Sequence, residues 1–197
     1  MKTNKWIYGI VIAALGWVAC DDDDNKLVRP SLNETDETFL EVTAKNNLAV
    51  IEFGELATTK ASDSIVRDFA QRMIEEHTTA QNELEEIADD YAGVEWSNDL
   101  SEGNDEIMEQ LNDVEGYSFD SLYMRTQVDI HTSAENIFRT ATTNTTEARV
   151  KAYATKYLPR IEAHVERADS IHTVVVANRS TDDMNEETDE ETEEEAN

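Results

Sequence analysis

Three histidines, His77, His131 and His164, fall at interior or near-interior positions on three separate stretches of helical spacing, and two glutamates, Glu52 and Glu135, are placed to join them. Imidazoles and carboxylates are the usual protein ligands for borderline transition-metal ions. Glu135 follows His131 by four residues, so both side chains leave one helix face beside Val128 and Phe138. Glu52 lies among Leu48, Ala49 and Leu56, where a carboxylate needs a partner because burying it alone is expensive. Counting about 1.5 Å per residue from the helix turns sets Glu52 level with His164 and His77 level with Glu135, with the two levels about 10 Å apart. The spacing therefore predicts a mid-bundle polar cluster of Glu52, His77, His131, Glu135 and His164.

Two chemistries are open to such a cluster: a single transition-metal ion held by histidine and glutamate, or a metal-free layer of histidines hydrogen-bonded to carboxylates. The di-iron centre of helical bundles draws Glu-x-x-His from each of two helices. Here the residues three before the histidines are Ile74, Val128 and Ile161, none of which can ligate, and this omission favours the metal-free layer without a cofactor. His172, beside Ile171, reads as a surface or capping residue. No Gly-rich phosphate loop, Cys-x-x-Cys, Gly-x-Ser-x-Gly elbow or basic aromatic stripe occurs, and no histidine pairs with a plausible nucleophile, so no catalytic residue is assigned.

Long helices must position the cluster. Only 6 Gly and 2 Pro punctuate 197 residues, and β architectures need many more turns. The periodicity predicts four long helices, over 34–60, 63–92, 118–144 and 147–177. Val66, Ala70, Met73, His77, Ala80, Leu84, Ile87 and Tyr91 alternate steps of four and three, as do Val150, Ala154, Tyr157, Ile161, His164, Ala168, Ile171 and Val175. Pro159 falls within the fourth helix, where it predicts a kink rather than an end. The chain also repeats itself without gaps at an offset of 84: Asp36, Phe39 and Leu40 align with Asp120, Tyr123 and Met124, and Val66-Arg67-Asp68-Phe69-Ala70 with Val150-Lys151-Ala152-Tyr153-Ala154. Two similar hairpins follow, with short turns near 61–63 and 144–146. About 24 residues, from Gly93 to Tyr117, join them through a small helix carrying Ile107, Met108 and Leu111, long enough to cross a bundle. The expected fold is all-α, a ferritin-like four-helix bundle running up, down, down, up.

The segments Phe69-Ala70-Gln71-Arg72-Met73-Ile74-Glu75-Glu76-His77, Phe119-Asp120-Ser121-Leu122-Tyr123-Met124 with His131 after it, and Leu158-Pro159 with His164 after it together resemble the helical ferritin-like family known as domain of unknown function 4142. The resemblance spans about Asp36 to Ile171. It implies a helical, often exported domain and brings no settled activity.

The N-terminus reads as an address. Lys2 and Lys5 precede an apolar run from Trp6 to Ala19, too short to span a membrane, and Trp17-Val18-Ala19-Cys20 resembles a bacterial lipobox, with Trp17 in place of the usual leucine. The expected layout is a lipoprotein signal peptide over 1–19, a tether over 20–33 that begins at a lipidated Cys20 and continues through the acidic Asp21–Asp24, the bundle over 34–178, and a disordered acidic tail over 179–197 with ten acidic residues. Such a chain is exported and anchored by lipid in the cell envelope, at the outer membrane on its periplasmic or surface face. A formal charge of −28 repels nucleic acid and leaves cations or basic proteins as partners. Two functions fit: a non-catalytic envelope protein that binds a partner or supports stress tolerance, which the missing Glu-x-x-His favours, and a metal-binding or redox protein using the interior Glu/His set.

Overall fold

The computed structural model describes residues 29–94 and 99–194, with side chains described as far as residue 178. Cys20, the signal segment, most of the tether and the tail's side chains lie outside the described residues. Among the described residues there are five helices and no strand: α1 Glu34–Lys60, α2 Ser64–Ala88, α3 Glu102–Asp113, α4 Gly116–Asn144 and α5 Ala148–Glu194. No described helix is long and apolar enough to cross a membrane.

The starts of α1, α2 and α3 are set by short polar side chains that accept from otherwise orphaned backbone donors, whereas α4 begins without a side-chain cap. Asn33 accepts from the Asp36 N–H, Asp63 from Ile65 and Ser101 from Asn104. α2 ends four residues before the expected 92; Tyr91 is still buried, but in the turn that follows, with its N–H on the Ala88 carbonyl. α5 continues through Pro159 and reaches Glu194, where composition predicts a disordered tail from 179. Beyond Pro159 no further proline or glycine interrupts it, and glutamate is a good helix former. Residues 29–32 strap across the end of α2, with the Ala92 N–H on the Pro30 carbonyl and Arg29 Nη1 on that of Asp89.

The steps of four and three recur on every long helix. On α1, Asp36, Leu40, Thr43, Asn47, Val50, Gly54 and Ala57 are buried, and on α4 their partners at offset 84 are too: Asp120, Met124, Gln127, His131, Ala134, Phe138 and Ala141. The turns repeat as well. Asp120 accepts from the backbone N–H groups of Ser62 and Asp63 and from the Ser62 hydroxyl, while Asp36 accepts from the N–H groups of Thr146 and Glu147 and from the Thr146 hydroxyl. Arg67 donates to the carbonyls of Ala61 and Ser62, and its counterpart Lys151 donates to that of Thr145.

These contacts set the helix directions. The start of α1 meets the end of α4, and the start of α4 meets the turn after α1, so α1 and α4 are antiparallel. Glu76 pairs with His164 and Glu83 with Tyr157, which makes α2 and α5 antiparallel too. With each hairpin antiparallel, α2 and α4 run the same way, and the connection containing α3 carries the chain back along the bundle.

The apolar interior is in two parts. Phe39, Leu40, Leu84, Phe138, Tyr153 and Tyr157 belong to one, and Val50, Phe53, Met73, Phe119, Tyr123 and Met124 to the other. On α2, His77 falls between Met73 of one and Ala80 of the other. On α5, His164 is likewise flanked by Ile161 and Ala168, so a polar layer separates the two clusters.

Candidate metal centre

His77, His131 and His164 meet in this layer, all buried, His131 completely so. Their ring centroids form a near-equilateral triangle with sides of 5.3, 5.5 and 5.0 Å. Each offers one nitrogen such that the three atoms lie within 4.8 Å of one another.

Hydrogen bonding fixes which nitrogen that is. A neutral imidazole has one donor and one acceptor nitrogen, so an acceptor on one side leaves a lone pair on the other. His131 Nδ1 donates to the Gln127 backbone carbonyl at 2.8 Å, so its Nε2 carries the lone pair. His77 Nδ1 lies 2.9 Å from Asn47 Oδ1. A chain of amides orients Asn47: Gln81 Nε2 must donate to the Glu85 carboxylate, its Oε1 therefore accepts from Asn47 Nδ2, and Asn47 Oδ1 is left to accept from His77. The His77 lone pair is then also on Nε2, 3.2 Å from His131 Nε2. His164 Nε2 donates to Glu76 Oε2 at 2.9 Å, and its Nδ1 is buried without a partner. Each ring thus keeps one lone pair within the shared layer, and every opposite N–H is held by an acceptor. Metal-binding histidines are oriented in this way.

Electrostatics agree with neutral rings. Burial pushes His77 well below the usual imidazole range, with His131 and His164 adding to the effect. Burial, then His164, takes His131 down to about 3 against the opposing bond to Gln127. His164 is also lowered by burial, with Glu76 opposing. Rings that resist protonation keep their lone pairs for a cation. Metal–nitrogen bonds of about 2.0–2.1 Å in tetrahedral array put two nitrogens about 3.3 Å apart, close to the separation of His77 and His131.

Glu52 and Glu135 do not belong to the cluster. Glu135 accepts from Arg139, which also reaches Glu162 at 2.8 Å, in an ion-pair group on the α4–α5 surface. The inward seam of α4 steps from 131 to 134 to 138, so a residue at 135 falls on its flank. Glu52 lies only partly buried on the flank of α1, its carboxyl raised first by burial and then by Glu55, Asp105 and Asp99. Nor do the histidines sit at two levels: all three share one. Asn47 and Glu76 hold the positions that the glutamates were expected to hold. Asn47 was legible, since the steps of four and three from Asp36 pass through it. Glu76 carried no such signal, because it sits beside the seam and reaches His164 from its edge. His172 is half-buried on α5 and outside the triad.

No curated protein and no solved structure matches the chain. The model of one family, Domain of unknown function (DUF4142), matches residues 24–171, three-quarters of the sequence and all three histidines, and the chain belongs to that family.

Proposed function

We propose that the bundle binds a single transition-metal ion through His77 Nε2, His131 Nε2 and His164 Nδ1. The observation that carries this reading is the meeting of three buried imidazoles, one nitrogen of each within 4.8 Å of the others, with one N–H of every ring held by an acceptor. Without a cation, two acceptor nitrogens confront each other at 3.2 Å and a third is left buried and unpartnered, a cost of about 1–3 kcal/mol for each unsatisfied group. An all-imidazole set suits zinc, copper, iron or nickel and disfavours magnesium and calcium, which take oxygen ligands. This is the metal-binding alternative with Asn47 and Glu76 supporting the ring orientations instead of Glu52 and Glu135 ligating.

The reading extends to fold and address. The parallel course of α2 and α4 with a long connection between them supports a ferritin-like arrangement, up, down, down, up. Lys2, Lys5, the apolar run to Ala19 and Cys20 support export and a lipid anchor in the cell envelope. The test is elemental analysis after loading with Zn²⁺ or Cu²⁺ and removal of excess: one ion per chain in the wild type and none in a His77→Ala/His131→Ala/His164→Ala variant. Equal metal in both would refute the site.

A further inference from the structure

The 84-residue repeat gives the face between α1 and α4 an internal two-fold relation, and only one half of that face is filled. Toward the end of the bundle where α1 begins, α1 and α4 leave a groove of about 400 Å³. Phe39, Val42, Ile137 and Ala141 line it, threonine and asparagine make up the rest, and none of its lining residues is charged. A shift of 84 carries these positions to the other end of the same face: Thr38 and Phe39 become Leu122 and Tyr123, while Ile137, Thr140 and Asn144 become Phe53, Leu56 and Lys60. That second groove is occupied by α3. Leu111 is fully buried in one cluster with Phe53 and Tyr123, and Ile107 and Met108 pack against it as Leu56 and Leu122 do. Lys60 Nζ donates to the last carbonyls of α3, that of Leu111 at 3.0 Å and that of Asn112. Among the described residues no element fills the first groove.

The filled half shows what the open half fits: a short helix laid apolar face down, with apolar residues spaced as Ile107, Met108 and Leu111 are. Charge decides where such a helix comes from. α3 is itself acidic, and the lysine that receives its last carbonyls is replaced by Asn144 in the open groove, so α3 of a second copy would lack its anchor there. Glu34 and Glu41 follow the outer edge of α1 on either side of Thr38, and the chain as a whole carries a formal charge of −28, so an incoming helix gains from basic residues on its outer face. We propose that the open half is a docking groove for an amphipathic helix of a partner protein, apolar toward Phe39, Val42 and Ile137 and basic on the side that faces away.

The probe is a fluorescent peptide with the sequence of Glu102–Asp113 in which every Asp and Glu is replaced by Lys, titrated with the purified full chain at physiological salt. It is expected to bind saturably, one per chain, and at least about tenfold more tightly than a scrambled peptide of the same composition, which keeps the charge and loses the apolar stripe. Thr140→Lys sets a cation in the groove and is expected to weaken binding at least about tenfold, whereas Thr132→Lys, the same charge on α4 outside the groove, changes it far less. Both threonines are exposed, so both variants should fold, as circular dichroism checks. Should Thr140→Lys not fold, the comparison of patterned and scrambled peptides decides. No binding, equal binding of the two peptides, or equal loss in the two variants would overturn the docking groove. So would a wild-type dimer in sedimentation that Thr140→Lys converts to a monomer, because a second copy would then close the groove.

Discussion

His77 and His131 face each other across 3.2 Å through Nε2 atoms that both carry lone pairs. Neither ring can turn to relieve this without giving up the bond that its Nδ1–H makes, to Asn47 in one case and to the Gln127 carbonyl in the other. The arrangement is costly for a metal-free layer and favourable around a cation. That cost supports the proposed metal site over a layer that only spaces two apolar clusters.

The support of His77 by Asn47 predicts a double effect of Asn47→Ala. Loss of the acceptor leaves a buried N–H unpaired and should destabilise the metal-free protein by about 1–3 kcal/mol, read from denaturant midpoints. Metal affinity should fall about 10- to 100-fold in a calorimetric titration, the usual effect of removing an outer partner of a ligating histidine. Gln81→Ala, one link further out and partly exposed, should do less of both. Equal effects would mean that the amide chain does not orient the ring.

Acidification should destabilise the metal-free protein through the triad. Folded-state pKa values below the ordinary 6.5 mean that the unfolded chain binds protons which the folded chain refuses. Stability is thus complete above about pH 6.5 and falls as pH drops below it, by up to about tenfold in the folding equilibrium per histidine and pH unit. Urea unfolding at about pH 7.5 and 5.5 should show the loss, and His131→Ala should reduce the slope. A flat wild-type profile over that window would contradict neutral buried rings.

Asp36 and Asp120 should be equivalent in energy as they are in position. Each is fully or almost fully buried and accepts from two backbone N–H groups and one hydroxyl of the opposite hairpin's turn. Asp36→Ala and Asp120→Ala should each cost about 2–4 kcal/mol, since orphaned donors are left at a helix start. A large loss for one and none for the other, measured by thermal unfolding, would show that the hairpins are not equivalently latched.

The proposed lipid anchor is testable apart from the site. Cys20→Ser should yield a chain that no longer incorporates labelled lipid and no longer sediments with membranes. Labelled lipid on the variant would remove the lipoprotein reading.

Much of the architecture was legible because it rests on periodicity. The seams through His77 and His164, the short helix around Leu111 and the 84-residue repeat all follow from the positions of apolar residues, and burial obeys them. The site was legible only in its histidines. Glu135 was misplaced because a residue four positions on is rotated about 40° from its neighbour, enough to carry a carboxylate from the seam to an Arg139 ion pair. Leu56 beside Glu52 is partly buried and packs with the cluster that also receives Ile107 and Met108, so apolar neighbours there marked a flank of α1 and not its centre. Glu76 reaches across from α2 to His164 on α5, a tertiary contact for which spacing along one helix has no signature.

The most direct measurement is long-range ¹H–¹⁵N NMR of the histidine side chains before and after one equivalent of Zn²⁺. In the metal-free protein His77 and His131 should appear as neutral Nδ1–H tautomers and His164 as the neutral Nε2–H tautomer. On adding zinc, the shifts of His77 Nε2, His131 Nε2 and His164 Nδ1 should move together to metal-bound values with a single stoichiometric endpoint, while those of His172 stay unchanged. Opposite tautomers in the metal-free state, or triad nitrogens that do not respond to zinc, would contradict the account.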